Sequence, residues 1–239
     1  MDPESQKRSQ THILNNNQTA MAILPNDTLL FIGDSITDCG RGREILEPND
    51  RYALGCGFVQ HIAQCLLMDL PTHNLRIYNR GVAGNKSDEL AARWQQDCLD
   101  LKPSLVTVMI GVNDSWHRFR HSMRGIDVDT AGTILNLLLT SVRQQLPSSR
   151  LVVLVPFLLQ HGTGVVDRHE WQPEFTARQR MTRRIALDNG AFLLDTQAMF
   201  DQALAKAPAN HWTSDGVHPT PAGHGLIARK WIEEQRSNR

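Results

Sequence analysis

Residues 28–37 read TLLFIGDSIT. The first six letters are a short apolar run closed by Gly33, the pattern of a buried strand. The residues that follow put Ser35 directly behind that strand. Working outward, the same alternation repeats. Residues 58–70 place Phe58, Ile62, Cys65, Leu66 and Asp69 near helical spacing, and Pro71 stops the helix. Residues 75–78 read as a second strand. Residues 88–101 follow with Leu90, Ala91, Trp94, Cys98 and Leu101 on one face. Asp88 and Glu89 lie in its first turn, where carboxylates favour the positive end of a helix. LVTVMI at 105–110 is a third strand and residues 130–146 a long helix ending before Pro147. LVVLV at 151–155 is a fourth strand. Residues 173–189 form a basic helix with Gly190 as its C-terminal cap, and residues 191–194 a fifth strand. Thr220 and Pro221 suit the N-cap and first residue of a final helix.

Apolar strands alternating with amphipathic helices predict an α/β fold: a parallel sheet covered on both faces. In such sheets ligands bind beyond the carboxyl ends of the strands. The chain has 239 residues, and residues 27–239 are expected to form a single domain. Residues 1–26 read as a polar, mobile extension. Its longest apolar run, AMAIL at 20–24, is too short for a secretory signal. No window approaches the ~18 apolar residues of a membrane span. Lys+Arg and Asp+Glu are both 25, a balance that argues against nucleic acid or an anionic membrane as partner. The four cysteines, Cys39, Cys56, Cys65 and Cys98, contain no C-x-x-C pair, which argues against structural zinc. Scattered thiols fit a reducing compartment, so a cytoplasmic protein is expected.

The segments behind the strands carry the chemistry. Behind the first comes Asp34-Ser35-Ile36-Thr37; behind the second, Gly81-Val82-Ala83-Gly84-Asn85; behind the third, Gly111-Val112-Asn113-Asp114. Behind the fifth, after a short helix, comes Asp215-Gly216-Val217-His218-Pro219. Together they supply a hydroxyl, a glycine backbone, a side-chain amide and an Asp–His pair, the parts of acyl transfer by a serine nucleophile. Each part has a plain alternative. Ser35 suits a helix cap, the glycines a tight turn, Asn113-Asp114 a turn pair, and Asp215 with His218 a loop hydrogen bond. Their joint presence, each behind an expected element, favours catalysis.

The blocks G-D-S-I-T, G-x-x-G-N, G-x-N-D and D-x-x-H-P resemble those of the SGNH hydrolases, the GDSL esterase/lipase superfamily, from about Thr28 to Trp231. The stretches LLFIGDSITDCGR, MIGVND and VHPTPAGH are most similar to the acetylxylan-esterase type of bacterial carbohydrate esterase. The resemblance implies a three-layer αβα sandwich with strand order 2-1-3-4-5. It implies Ser35 as nucleophile, His218 as general base and Asp215 as the carboxylate that orients it. The N–H groups of Ser35 and Gly84 and the amide of Asn113 would form the oxyanion hole. It implies neither cofactor nor metal, and a substrate that is a small acetylated sugar, such as acetylated xylan or xylo-oligosaccharide. A short-chain lipid esterase or thioesterase on the same fold is the alternative within enzymes. A non-catalytic sugar-binding module is the alternative outside them. No G-x-S-x-G elbow is present.

Other features read more plainly. His117 and His121 have i, i+4 spacing but no evident third ligand, and read as a solvated or substrate-facing stretch. Arg178, Arg180, Arg183 and Arg184 read as a solvated or subunit-facing surface, which leaves a homo-oligomer open. Gly40-Arg41-Gly42 lacks the phosphate-loop pattern. Trp116 and Trp212 flank the blocks, either as core or as a platform for a sugar ring. Residues 160–172, with His161, Asp167, Arg168, His169 and Glu170, offer no apolar lid.

Overall fold

The computed structural model describes residues 22–120, 124–160 and 168–236. Five parallel strands form one sheet: β1 (Thr28–Gly33), β2 (Arg76–Gly81), β3 (Leu105–Met109), β4 (Arg150–Leu154) and β5 (Phe192–Leu194). Their order is β2-β1-β3-β4-β5, as expected. The chain leaves β1 for β2 on one side and returns to β3 on the other. The strand order therefore switches at β1, the position where ligands of such sheets bind beyond the carboxyl ends. The register sets Gly33 beside both Gly81 and Met109, so three of the loops named above start side by side.

The strands bury both faces, and β1 shows how. Leu29 and Phe31 enter one apolar layer with Phe58 and Ile62 of α2 (Phe58–Asp69) and Trp231 of α9 (Pro221–Arg236). Leu30 and Ile32 enter the other with Leu90 and Trp94 of α3 (Ser87–Trp94) and Leu139 of α5 (Val128–Gln145). This is an αβα sandwich.

Several boundaries differ from expectation. Strand β2 runs on to Gly81 because buried Asn79 donates to the carbonyls of Thr37 and Leu54 and accepts from the Gly81 N–H. The helix expected over 88–101 ends at Trp94 and passes into a π-helical turn, Gln95–Leu99. The wider turn rotates Leu99 into the core and leaves Leu101 half-buried. A helix α4 (Val112–Arg120) stands where no element was expected. Helix α6 (Arg168–Asp188) begins before Pro173, which lies inside it. The final helix starts as its sequence predicts: Thr220 Oγ1 accepts from the Gly223 N–H and Pro221 is the first residue.

The N-terminal boundary also shifts. Within the expected mobile extension, Ile23 packs on the core and the Ala22 carbonyl accepts from Arg150. The Asn26 N–H donates to the His73 carbonyl at 2.6 Å. Residues 22–26 are thus tied to the domain, and residues 1–21 lie outside the described residues. Among the described residues, no helix is long and apolar enough to cross a membrane.

Candidate active site

Ser35 opens the short helix α1 (Ser35–Asp38) immediately behind β1. The capping role is filled by Asp34, whose Oδ1 accepts from the Ile36 N–H at 3.0 Å. That leaves the Ser35 hydroxyl free to face the loop before α9, where Oγ lies 3.0 Å from His218 Nε2. On the other side of the ring, His218 Nδ1 lies 2.7 Å from Asp215 Oδ2. Asp215 Oδ1 accepts from the N–H groups of Val217 and His218, which fixes the loop that carries the imidazole. The loop hydrogen bond and the side-chain pair, alternatives in the sequence, are thus both present. A carboxylate at Nδ1 favours the tautomer with its proton there and leaves Nε2 as the acceptor facing Ser35.

The electrostatics separate the groups. Burial alone would raise the Asp215 carboxyl, but hydrogen bonds from the His218 ring and two backbone N–H groups outweigh it and hold it at about 2. The Asp215 carboxylate raises the His218 imidazolium above its ordinary value, against partial burial. Burial pushes the nearby Asp34 carboxyl up to about 7. His224, the second histidine of this region, is pushed down to about 4 by burial. Its Nδ1 accepts from the Phe58 N–H, and its Nε2 lies 3.3 Å from Cys39 Sγ. Cys39 in turn lies 3.6 Å from Cys56 Sγ, a contact that no sequence spacing announced.

Glycines let the segments close on one another. A Cβ at Gly33 would stand 2.1 Å from the Met109 carbonyl oxygen, and one at Gly81 2.1 Å from the Asp38 nitrogen. Gly84 adopts a φ of +86°, in the left-handed region. Asn113 sits in the first turn of α4, and its Nδ2 donates to the Asn85 carbonyl at 3.1 Å. The loop with Gly84 and the helix with Asn113 are therefore in direct contact.

Three charged residues hold this arrangement: Asp38 and Arg93, which sequence reasoning passed over, and Arg178, which it placed at the surface. Asp38, buried at the end of α1, accepts from the Ala83 N–H at 2.8 Å and pairs with Arg43. A carboxylate at a helix C-terminus opposes the helix dipole, and that was the available signal. Arg93 donates to the Gly33 and Arg80 carbonyls and to Asn85 Oδ1. Arg178 was expected on a solvated or subunit-facing surface but is 1% exposed and pairs with Asp114 and Glu174. Its place on α6 sets it against Asp114 and Ser115 behind β3, and buried acceptors make that position tolerable. Arg183 pairs with Asp195, while Arg180 and Arg184 are exposed.

The two tryptophans part company. Trp212 is only 9% exposed, belongs to the core and donates its indole N–H to the Ala207 carbonyl. It is a packing residue rather than an open platform. Trp116 is half-buried on α4, edge-on to Trp171 with ring centroids 5.5 Å apart. Trp171 itself stacks on Phe119. His121, His161 and Asp167 lie outside the described residues. Arg168, His169 and Glu170 fall in the first turn of α6.

The model of the GDSL-like lipase/acylhydrolase family matches residues 31–226. The chain is 31% identical over 217 residues to an acetylxylan esterase of Geobacillus stearothermophilus, covering 90% of this chain and 96% of that protein. Solved structures of that esterase include catalytic mutants in which a serine, an aspartate or a histidine is replaced by alanine. They superpose with a TM-score of 0.80 at 30% identity, over 90% of this chain and 96% of theirs. A GDSL-like lipase of Parabacteroides merdae superposes with a TM-score of 0.86 at 35% identity, over 92% of this chain and 99% of its own.

Proposed function

From the premise that the chain belongs to the GDSL-like lipase/acylhydrolase family, and is a carboxylic ester hydrolase, we propose that it removes O-acetyl groups from carbohydrate. The observation that carries the mechanism is the continuous line from Ser35 Oγ to His218 Nε2 at 3.0 Å and from His218 Nδ1 to Asp215 Oδ2 at 2.7 Å. In this reading Ser35 Oγ attacks the acetyl carbonyl while His218 Nε2 takes its proton. Asp215 stabilises the imidazolium. The negative oxygen of the tetrahedral intermediate is received by the N–H groups of Ser35 and Gly84 and by the Asn113 amide. One hydrogen of that amide is anchored on Asn85, so the plane of the group is set beforehand. His218 then returns the proton to the leaving sugar hydroxyl. Water, activated by the same imidazole, cleaves the acetyl-serine and releases acetate.

The sugar part of the proposal rests on similarity to the acetylxylan esterase along nearly the whole chain. Trp116, braced by Trp171, is the residue we assign to the sugar ring. We assign the cytoplasm as compartment on the thiol argument made from the sequence.

The test is a panel of p-nitrophenyl esters from acetate to octanoate beside acetylated xylo-oligosaccharide. Each methylene buried in a true lipid site contributes about 0.8 kcal/mol, so a lipase gains steeply with chain length. Here kcat/KM is expected to peak at acetate and fall by butyrate, with acetate released from the sugar. Faster octanoate turnover without sugar deacetylation would transfer the assignment to a lipid esterase. Ser35→Ala should remove about 10⁴–10⁶ of kcat in a folded protein.

A further inference from the structure

We propose that Ser87, Asp114 and Arg178 form a buried relay that sets the distance between the two outer oxyanion donors, with Ser87 and Asp114 as positioning residues. The inference rests on the esterase reading above. Gly84 lies in the loop behind β2 and Asn113 in the first turn of α4, behind β3. The sheet register aligns where the two segments start, but among the described residues no backbone–backbone hydrogen bond joins them. Oxyanion donors work only within about 2.7–3.1 Å of the developing charge, and a misplacement of about 1 Å can cost 10²-fold in rate. Some tie between the loops is therefore required.

Asp114, the neighbour of Asn113, provides it. Its Oδ1 accepts from the Ser87 N–H at 2.9 Å and its Oδ2 from the Ser87 hydroxyl at 2.5 Å. Ser87 is the first residue of α3 and stands three residues beyond Gly84. One carboxylate thus holds both the backbone and the side chain at the end of the Gly84 loop. The Asn113–Asn85 bond closes the same junction from the other side.

The carboxylate is completely buried, and an isolated charge there would be expensive. Arg178 Nη1 meets Asp114 Oδ2 at 3.2 Å. The rest of the guanidinium is occupied by Ser115 Oγ, the Ile126 carbonyl and Glu174. Arg178 therefore neutralises Asp114 from a fixed position. The turn is shaped around it: Gly111 has a φ of +124°, and a Cβ there would lie 3.3 Å from Arg178 Cδ. A buried ion pair adds little net stability over apolar packing of the same volume. Its directionality is what an apolar contact lacks, and directionality is what the junction needs.

Ser87→Ala removes one hydroxyl and leaves the backbone bond to Asp114, so the variant should fold. On p-nitrophenyl acetate its kcat is expected to fall by about tenfold or more, with KM within about twofold, the pattern of an interaction felt in the transition state. Inhibition by a boronic acid that forms a tetrahedral adduct should weaken by the same factor as kcat. Ser87→Thr, which restores the hydroxyl, should recover most of the rate. Ser87→Ala should cost much less when added to Asn113→Ala, because the distance the relay sets no longer matters once one of its two donors is gone. A lowered Tm with unchanged kcat and unchanged boronate affinity would overturn the relay and leave a purely structural serine. So would additive losses in the double variant. If Asn113→Ala itself keeps wild-type kcat, the oxyanion assignment falls and the relay with it. If Asn113→Ala is impaired and Ser87→Ala is not, the relay alone is wrong.

Discussion

At the scale of single residues, two histidines within one stretch, VHPTPAGH, have opposite environments. His218 faces a carboxylate that raises it, whereas His224 is desolvated and lowered to about 4. Only the first can change charge near neutrality. In the proposed mechanism His218 must be neutral to accept the Ser35 proton, so the acid limb of kcat/KM should have its midpoint above the ordinary histidine value of about 6.5. Asp215→Asn removes the cause, so the midpoint should move down while kcat drops by about 10³–10⁴. A pH–rate profile of both proteins checks this. Asp34 supports a stability prediction of the opposite kind. Its carboxyl is raised by burial to about 7, so between about 4 and 7 the folded state holds a proton that the unfolded state has released. Stability from this group is therefore greatest in acid and declines as pH rises to 7. In Asp34→Asn that slope should vanish, as urea midpoints at pH 4, 5.5 and 7 would register.

At the scale of elements, the site depends on how closely the ends of β1, β2 and α1 approach. Gly81 and Gly84 look equivalent in the string GVAG but fail differently. An added methyl at Gly81 meets the backbone nitrogen of Asp38 at 2.1 Å, and neither strand nor helix can yield cheaply. Gly81→Ala should cost about 3 kcal/mol and lower kcat, because the displaced α1 carries Ser35. At Gly84 a methyl meets nothing within 4 Å, and only the positive φ is strained. Gly84→Ala should cost about 1 kcal/mol. Denaturant titrations of the two variants should separate them. Equal losses would mean that the close approach at Gly81 is not what demands glycine. Elements also mark where reading by pattern stopped. VNDSWHRFR was not recognised as α4 because its apolar positions are few, and the helix is held by contacts such as Arg118 with Glu174.

At the scale of the molecule, one face of the sheet hangs on Trp231. Its ring is fully buried, 5.4 Å from the Phe31 ring, and its indole N–H reaches Thr107 Oγ1. Trp231→Ala should cost about 3–5 kcal/mol. The substitution lies in the helical layer under the sheet rather than at the strand ends. The folded fraction should therefore retain its kcat on p-nitrophenyl acetate, measured well below the lowered Tm. A loss of kcat in fully folded protein would show that this layer and the catalytic edge are coupled.

The alternation of apolar runs and helical faces determined the sheet, and the short blocks behind the strands singled out Ser35, Asp215 and His218, which the fold sets in one hydrogen-bonded line. Both are largely local signals: strand burial appears as a continuous apolar run, and the first three blocks lie within a few residues of their strands, while the Asp215–His218 block follows β5 only after intervening helices. Residues joined across the chain were not legible. Asp38 to Ala83, Ser87 to Asp114, Asp114 to Arg178 and Cys39 to Cys56 are set by packing between elements, and no periodicity encodes them. Arg178 makes the point most clearly. Its neighbours in sequence are basic and polar, so a solvent-facing reading was natural. Only the fold supplies Asp114 and Glu174 around it, and those partners make a buried guanidinium stable. Trp212 shows the converse: proximity to Asp215 in sequence suggested the cleft, and the fold turned its ring into the core.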